Sequence, residues 1–252
     1  MAETRGTPRP RRALTEQEIL DAALALLDAG GAEAASIRRI AVAVGSAPTA
    51  VYTYFPDRAA VEHALIEYVL AEVAADECEV TADEREVATD ECEVATDERE
   101  VTAQKRPDDW RERVEVLTAD LRRQLLAHPG VIPLMLAGPM TGPHALRLGE
   151  HLLDLLAAGG LDPASAARGS YLLMVYVLGA TSLEVADAPP GLLAPEAERI
   201  AALRAALSDV PAQAFPRTAA AVGVTATWTG AEQFRWGLRR LLDGLAAEAE
   251  LD

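Results

Sequence analysis

Asparagine is absent from this 252-residue chain and Lys105 is its only lysine, so nearly all the positive charge is arginine. Alongside abundant alanine, glycine and proline, that pattern reads as the coding bias of a GC-rich bacterial genome, not as a functional signal. Cysteine is scarce too. Its two residues, Cys78 and Cys92, exclude a disulfide scaffold and fit a reducing compartment. Aromatic residues make up only 4%. No long apolar run exists. The longest uncharged stretch, residues 124–146, is interrupted by Pro129, Pro133, Pro139 and Pro143. The next, residues 169–183, falls short of the roughly 20 residues a membrane span requires. The first twelve residues hold four arginines and two prolines without an apolar centre, so they do not read as an export signal. The expectation is a soluble, cytoplasmic protein with no membrane partner. GxSxG, a phosphate-binding loop and a Gly-rich dinucleotide turn are all missing, so the chain is not read as an enzyme and no cofactor is implied.

What is present is a chain half hydrophobic and one quarter charged, with a net charge of −17. That apolar content excludes wholesale disorder. Its periodicity is helical throughout, and no stretch alternates with period two. Ile19, Leu20, Ala23, Leu24 and Leu27 form one stripe, opened by a Thr15–Glu18 capping box and stopped at Gly30-Gly31. Ser36 caps a short helix ending at Gly45, and a third helix is expected from about Ala47 to Tyr54. Asp57 caps a longer one carrying Val61, Leu65, Tyr68 and Val69. Further on, helices are expected from Asp108 or Asp109 to Pro129-Gly130, and from about Pro143 to Ala158. Asp162-Pro163 opens a long one to about Val185, and another spans Pro195 to Leu207. Residues 209–228 read as irregular, and a Thr229–Glu232 capping box starts the last helix. The fold class is all-α.

Residues 76–103 differ in kind. They are four heptads, DECEVTA, DEREVAT, DECEVAT and DEREVTA, whose acids supply −10 of the net charge. One valine per heptad is too thin a stripe for a coiled-coil seam. The segment reads as a tandem acidic expansion, helical or disordered, with a partner-binding helix as the sharper alternative. Cys78 and Cys92 fall inside it, and their acidic neighbours disfavour the reactive thiolate.

Two short helices joined at Gly45, covered by the first, have the form of a helix-turn-helix. The run SIRRIAVAVGSAPTAVYTYFPDRAAVEHAL resembles the DNA-binding domain of the TetR family of bacterial transcriptional regulators. The matching marks are Ser36, Arg38, Ile40-Ala41, Gly45, Val51-Tyr52, Tyr54-Phe55 and Asp57-Arg58. The family usually has lysine where Arg58 stands, which preserves the charge. More weakly, LGEHLLDLLAAGGLDPASAARGSYLLMVYVLGATSLE and FRWGLRRLLDGL resemble the C-terminal domain of the tetracycline-repressor branch. The four heptads depart from the family pattern, where its fourth and fifth helices join.

The residue chemistry agrees. On the recognition helix Thr49, Ala50, Thr53 and Tyr54 suit the groove side, and Val51 and Phe55 the buried side. Ala50 or a threonine methyl suits a thymine methyl, and a threonine hydroxyl suits a base edge or phosphate. The resemblance implies that Arg38 forks onto a guanine. Tyr52, Tyr54 and Arg58 suit phosphate contacts, which position without reading sequence, with Ser36 completing the DNA-binding set. The competing role for each tyrosine is packing with a wet hydroxyl. Residues 1–60 balance seven arginines against seven acids, so no overall basic charge marks a DNA-binding domain. Distribution decides instead: Arg5, Arg9, Arg11 and Arg12 cluster in an arm, and Arg38, Arg39 and Arg58 flank the motif.

In the second half Met135, Met140, His144, Arg147, Tyr171 and Met174 are the candidate effector-binding residues, an apolar set with a few polar anchors. His144 and His151 share a helix face next to Glu150, but a ligand set for a metal is lacking, so no metal site is assigned. The expected organisation has four parts: a flexible Arg-rich arm (1–13), a helix-turn-helix domain with its connecting helix (14–75), the acidic repeat (76–103), and an effector-binding and dimerisation domain (104–252). The resemblance implies that residues 169–183 and 234–245 form a four-helix dimer interface. It also implies a homodimeric repressor that binds palindromic double-stranded operator DNA and is released by a small-molecule effector. The rival is a small-molecule-binding or scaffold protein of the same fold that has lost specific DNA binding.

Overall fold

The computed structural model describes residues 14–73, 109–186 and 193–249. The expectations for the Arg-rich arm and for the acidic repeat lie outside the described residues. Every regular element within them is helical.

α1 (Glu16–Gly30) opens on the capping box read from sequence: Thr15 accepts from the Glu18 amide, and the Glu18 carboxylate accepts from the Thr15 amide. Its face of Ile19, Leu20, Ala23, Leu24 and Leu27 is buried. α2 (Ile37–Ala43) and α3 (Pro48–Val51) pack on one another, with α2 against α1. α4 (Arg58–Val73) follows, with its Ala60 amide capped by Asp57 at 2.8 Å. α4 touches α1 on one side and, on the other, α5 (Asp109–Ala127), α6 (Ile132–Ala137) and α7 (Pro143–Ala158). It is therefore the element shared by the two halves. Burying Leu65, Leu70 and Val73 of α4 with Leu121, Leu125 and Leu152 makes one continuous apolar core.

α8 (Pro163–Val185) has the bounds its signals predict: Asp162 accepts from the Ala164 amide at 2.8 Å, and Pro163 occupies the first turn. α9 (Glu196–Ser208) buries no side chain and α10 (Pro216–Thr225) buries only Thr225. α11 (Ala231–Ala249) returns to the core through Phe234, Leu238, Leu242 and Leu245.

The structure corrects the sequence reading in four places. Residues 209–228 are not irregular throughout, because α10 lies within them, flanked by turns; facing solvent, it has no apolar stripe to betray it. The prolines of residues 124–146 do not only interrupt. Pro129 opens a 3₁₀ turn (Pro129–Val131), while Pro133 and Pro143 sit in the first turns of α6 and α7, where a missing N–H costs nothing. The third helix ends at Val51, and residues 52–54 form a turn. The last helix begins at Ala231, and its first amide donates to the Glu196 carboxylate of α9 at 3.1 Å. That bond, not the expected Thr229–Glu232 box, caps it.

Candidate nucleic-acid interface and effector cavity

The candidate reading head, α2 and α3, is built from a cap, a turn and a proline. Ser36 spends its hydroxyl on the Arg39 amide at 3.4 Å, which starts α2. At the other end the Ser46 amide donates to the Ala41 carbonyl (2.8 Å) and the Gly45 amide to that of Val42 (3.1 Å). This Schellman closure needs a left-handed residue, and Gly45 supplies it at φ +63°. Pro48 then opens α3, and Val51 and Phe55 anchor it in the core.

The opposite side is open. Arg38, Arg39, Thr49, Tyr52 and Thr53 are exposed and Ala50 is half-buried. Arg38 has no intramolecular partner among the described residues. Thr53 donates to the Thr49 carbonyl at 3.2 Å, so its hydroxyl oxygen faces outward as an acceptor. Two expected phosphate contacts are engaged within the chain. The Tyr54 hydroxyl donates to the Leu14 carbonyl, ahead of α1. Arg58 pairs with Glu62 at 2.6 Å and donates to the Ala32 carbonyl at 2.9 Å. The Glu62 hydrogen bond raises the guanidinium pKa further. Val42, 78% exposed one turn after Arg38, escaped the sequence reading. Its exposure was visible only as an apolar residue off the buried stripe.

In the other half, a cavity of about 270 Å³ lies between α4, α7 and α8. Its wall includes Leu70, Met140, Ala145, Leu148, Leu153 and Met174. Glu150 contributes the one charged side chain. Of the candidate effector-binding residues, the structure brings Met140 and Met174 together on this wall. Met135 is instead buried in the core, and Tyr171 is 74% exposed on the outer face of α8. His144 and Arg147 sit on α7 outside the lining, with 3.3 Å between Arg147 Nη1 and His144 Nδ1. Leu70, Leu148 and Leu153 were missed because a cavity-lining leucine and a core leucine have the same sequence signature. A larger depression of about 1030 Å³ lies between α1 and the Gly45 turn, with Glu18 and Asp21 on its wall. Its lining is more polar, so the smaller cavity better matches an apolar ligand seat.

Two family models match this chain. Residues 19–65 match that of the bacterial regulatory proteins of the tetR family, and residues 102–249 match the tetracyclin repressor-like C-terminal domain. The chain belongs to the TetR family. It is therefore a helix-turn-helix regulator of transcription, and its family is one of regulators, not enzymes. Among curated relatives it is similar to an HTH-type transcriptional regulator of Saccharopolyspora erythraea, 26% identical over 97% of this chain and 89% of the relative. It is also similar to the HTH-type transcriptional repressor DrrR1 of Streptomyces coeruleorubidus, 24% identical over 94% of this chain and 78% of the relative. Among solved structures, apo ActR of Streptomyces coelicolor superposes with a TM-score of 0.69 at 26% identity, covering 95% of this chain and 98% of ActR. ActR has also been solved with actinorhodin (TM-score 0.68, 26% identity, 94% of this chain and 98% of that one) and with (S)-DNPA. Within the TetR family the two described halves have separate tasks, and in this member α4 physically joins them. Among the described residues no helix is long and apolar enough to cross a membrane, and no group of His, Cys, Asp and Glu has the geometry of a metal site.

Proposed function

We propose that this TetR-family regulator is a homodimeric, cytoplasmic repressor that binds a palindromic operator and leaves it when a small molecule occupies the α4–α7–α8 cavity. The observation that carries the reading is the continuity of α4, which packs on α1, the helix that α2 of the reading head packs against, and lines the cavity with Leu70. A ligand shifts DNA affinity only if it binds two conformers unequally. A cavity walled by the connecting helix provides that inequality.

Arg38 is the base-reading side chain, and Thr49, Ala50, Tyr52 and Thr53 surround it. Tyr54 and Arg58 hold the head together and present what remains of their exposed surface to phosphate. Each subunit places one head in the major groove, with half-sites roughly 34–36 Å apart. The dimer face is α8, where Leu172, Val175 and Leu183 are 41%, 47% and 70% exposed. The effector is largely apolar, as the lining demands. Because ActR has been solved with actinorhodin and (S)-DNPA, those compounds are the first to try.

The test is a gel shift with the DNA flanking the protein's own gene, titrated with salt and competitor, followed by addition of the candidate effectors. A competitor-resistant complex containing two subunits, lost in Arg38→Ala, supports the reading. Failure to retain any sequence in a selection from random DNA overturns it.

A further inference from the structure

Two tripeptides, His128-Pro129-Gly130 and Gly142-Pro143-His144, mirror one another in sequence and do the same job in the fold. Each places a proline in the first turn of a helical element, and neither element has a side-chain cap from its own N-cap residue. The amides that follow would therefore be left without acceptors. In both cases a carboxylate from the DNA-binding half supplies one.

Asp28, near the end of α1, accepts the Gly130 amide through Oδ1 at 3.1 Å, and its Oδ2 lies 2.9 Å from His128 Nδ1. Glu67, midway along α4, accepts the His144 amide at 2.7 Å and the Ala145 amide at 3.2 Å. The backbone is shaped to admit both. A Cβ on Gly142 would lie 2.2 Å from the Glu67 carboxyl carbon, and one on Gly130 would lie 2.8 Å from the Leu27 carbonyl oxygen. Residues 130–145 are thus fastened at one end to α1 and at the other to α4. Between those ends, Met140 lines the cavity, and so does Ala145, whose amide Glu67 holds.

We infer that Asp28 and Glu67 are the positioning residues through which occupancy of the cavity sets the orientation of the reading head; this rests on the effector reading above. An occupant pressing on Met140 and Ala145 shifts the first turn of α7. Apolar contacts between helices tolerate sliding, but a carboxylate bound to two successive amides does not. The shift is therefore passed to α4 through Glu67 and along residues 130–145 to α1 through Asp28. The two carboxylates form one linkage, so loosening one end loosens the other. Simple local caps have no such property.

The test is amide hydrogen exchange on the full-length protein, comparing wild type, Glu67→Gln, Asp28→Asn and the double variant. These substitutions keep the side-chain shape and one acceptor oxygen, and a far-ultraviolet spectrum and melting curve verify folding. Glu67→Gln is expected to speed exchange at His144 and Ala145 about fivefold. It is also expected to speed exchange at Gly130, at the far end, by about threefold. Asp28→Asn should do the reverse, and the double variant should fall short of the product of the two. If each substitution changes only the amides that its own carboxylate caps, or neither changes any, the inference is overturned. A second measurement adds actinorhodin and (S)-DNPA to the complex with the flanking DNA. Should neither bind, or no complex form, the exchange result still decides the linkage, so a failed effector reading is told apart from a failed linkage.

Discussion

Arg122 of α5 forks onto Glu184 of α8, with Nε at 3.1 Å from Oε2 and Nη2 at 2.8 Å from Oε1, where the carboxylate side chain is only 3% exposed. The same carboxylate takes Arg199 of α9 at 2.6 Å, and Arg199 also donates to the Glu184 carbonyl at 2.9 Å. Arg122 in addition lies 5.3 Å from the centre of the Phe234 ring of α11. One buried acid therefore gathers four helices, including α9, which has no buried side chain with which to hold itself in place.

Glu184→Ala leaves two arginines facing each other in a largely dry site. Breaking a buried ion pair by removing one partner costs about 3–5 kcal/mol. The loss should appear as a lowered urea midpoint with the slope of the transition unchanged, since the surface exposed on unfolding stays nearly the same. A loss no larger than that of an exposed pair, up to about 1 kcal/mol, would show that water already screens the cluster.

Arg38→Ala should remove discrimination and leave general DNA affinity largely intact. A bidentate arginine–guanine contact contributes about 1–3 kcal/mol of specificity. Tyr52→Phe should instead weaken operator and random DNA alike, because a phosphate contact carries no base information. Competition titrations with operator and random duplexes separate the two. Equal losses on both duplexes for Arg38→Ala would move that residue from reading to positioning.

Much of this was legible because the signals were local. The Thr15–Glu18 box, the Asp162-Pro163 start and the Gly45 turn each lie within a few residues of what they control, and each appears where the sequence put it. The caps that join distant elements were not legible. Glu196 caps α11 from 35 residues away and Glu67 caps α7 from 77 away, and nothing in the spacing of either acid marks it as a cap. Position in the fold also separates residues that composition treats alike: Met135 went to the core, Met140 and Met174 to the cavity, and Tyr171 to the outer face of α8.

Val175→Asp should yield monomers. Val175 shares the outer face of α8 with Leu172 and Leu183, and Gly179 nearby leaves open space where a Cβ would stand, as a close helix–helix approach requires. A carboxylate in the centre of an apolar seam would be buried without a partner. Sedimentation should show the mass of one chain while the far-ultraviolet spectrum stays helical. A dimer that survives the substitution would place the interface on another face.

Stability should fall at high pH because of two tyrosines. Burial raises the Tyr68 pKa above the usual 10.0, with its hydrogen bond to Asp21 adding to the effect. Burial likewise raises that of Tyr176, whose hydroxyl donates to the Phe234 carbonyl at 2.8 Å. In each case the folded chain holds its proton more tightly than the unfolded chain. The resulting stability is therefore fully present below pH 10 and is lost as pH rises through the higher folded value. Urea midpoints measured from pH 9 upward should decline more steeply for wild type than for Tyr176→Phe, which has no proton to lose at that site. Parallel curves for the two proteins would mean that Tyr176 ionises as freely when folded as when unfolded, contrary to its position between α8 and α11.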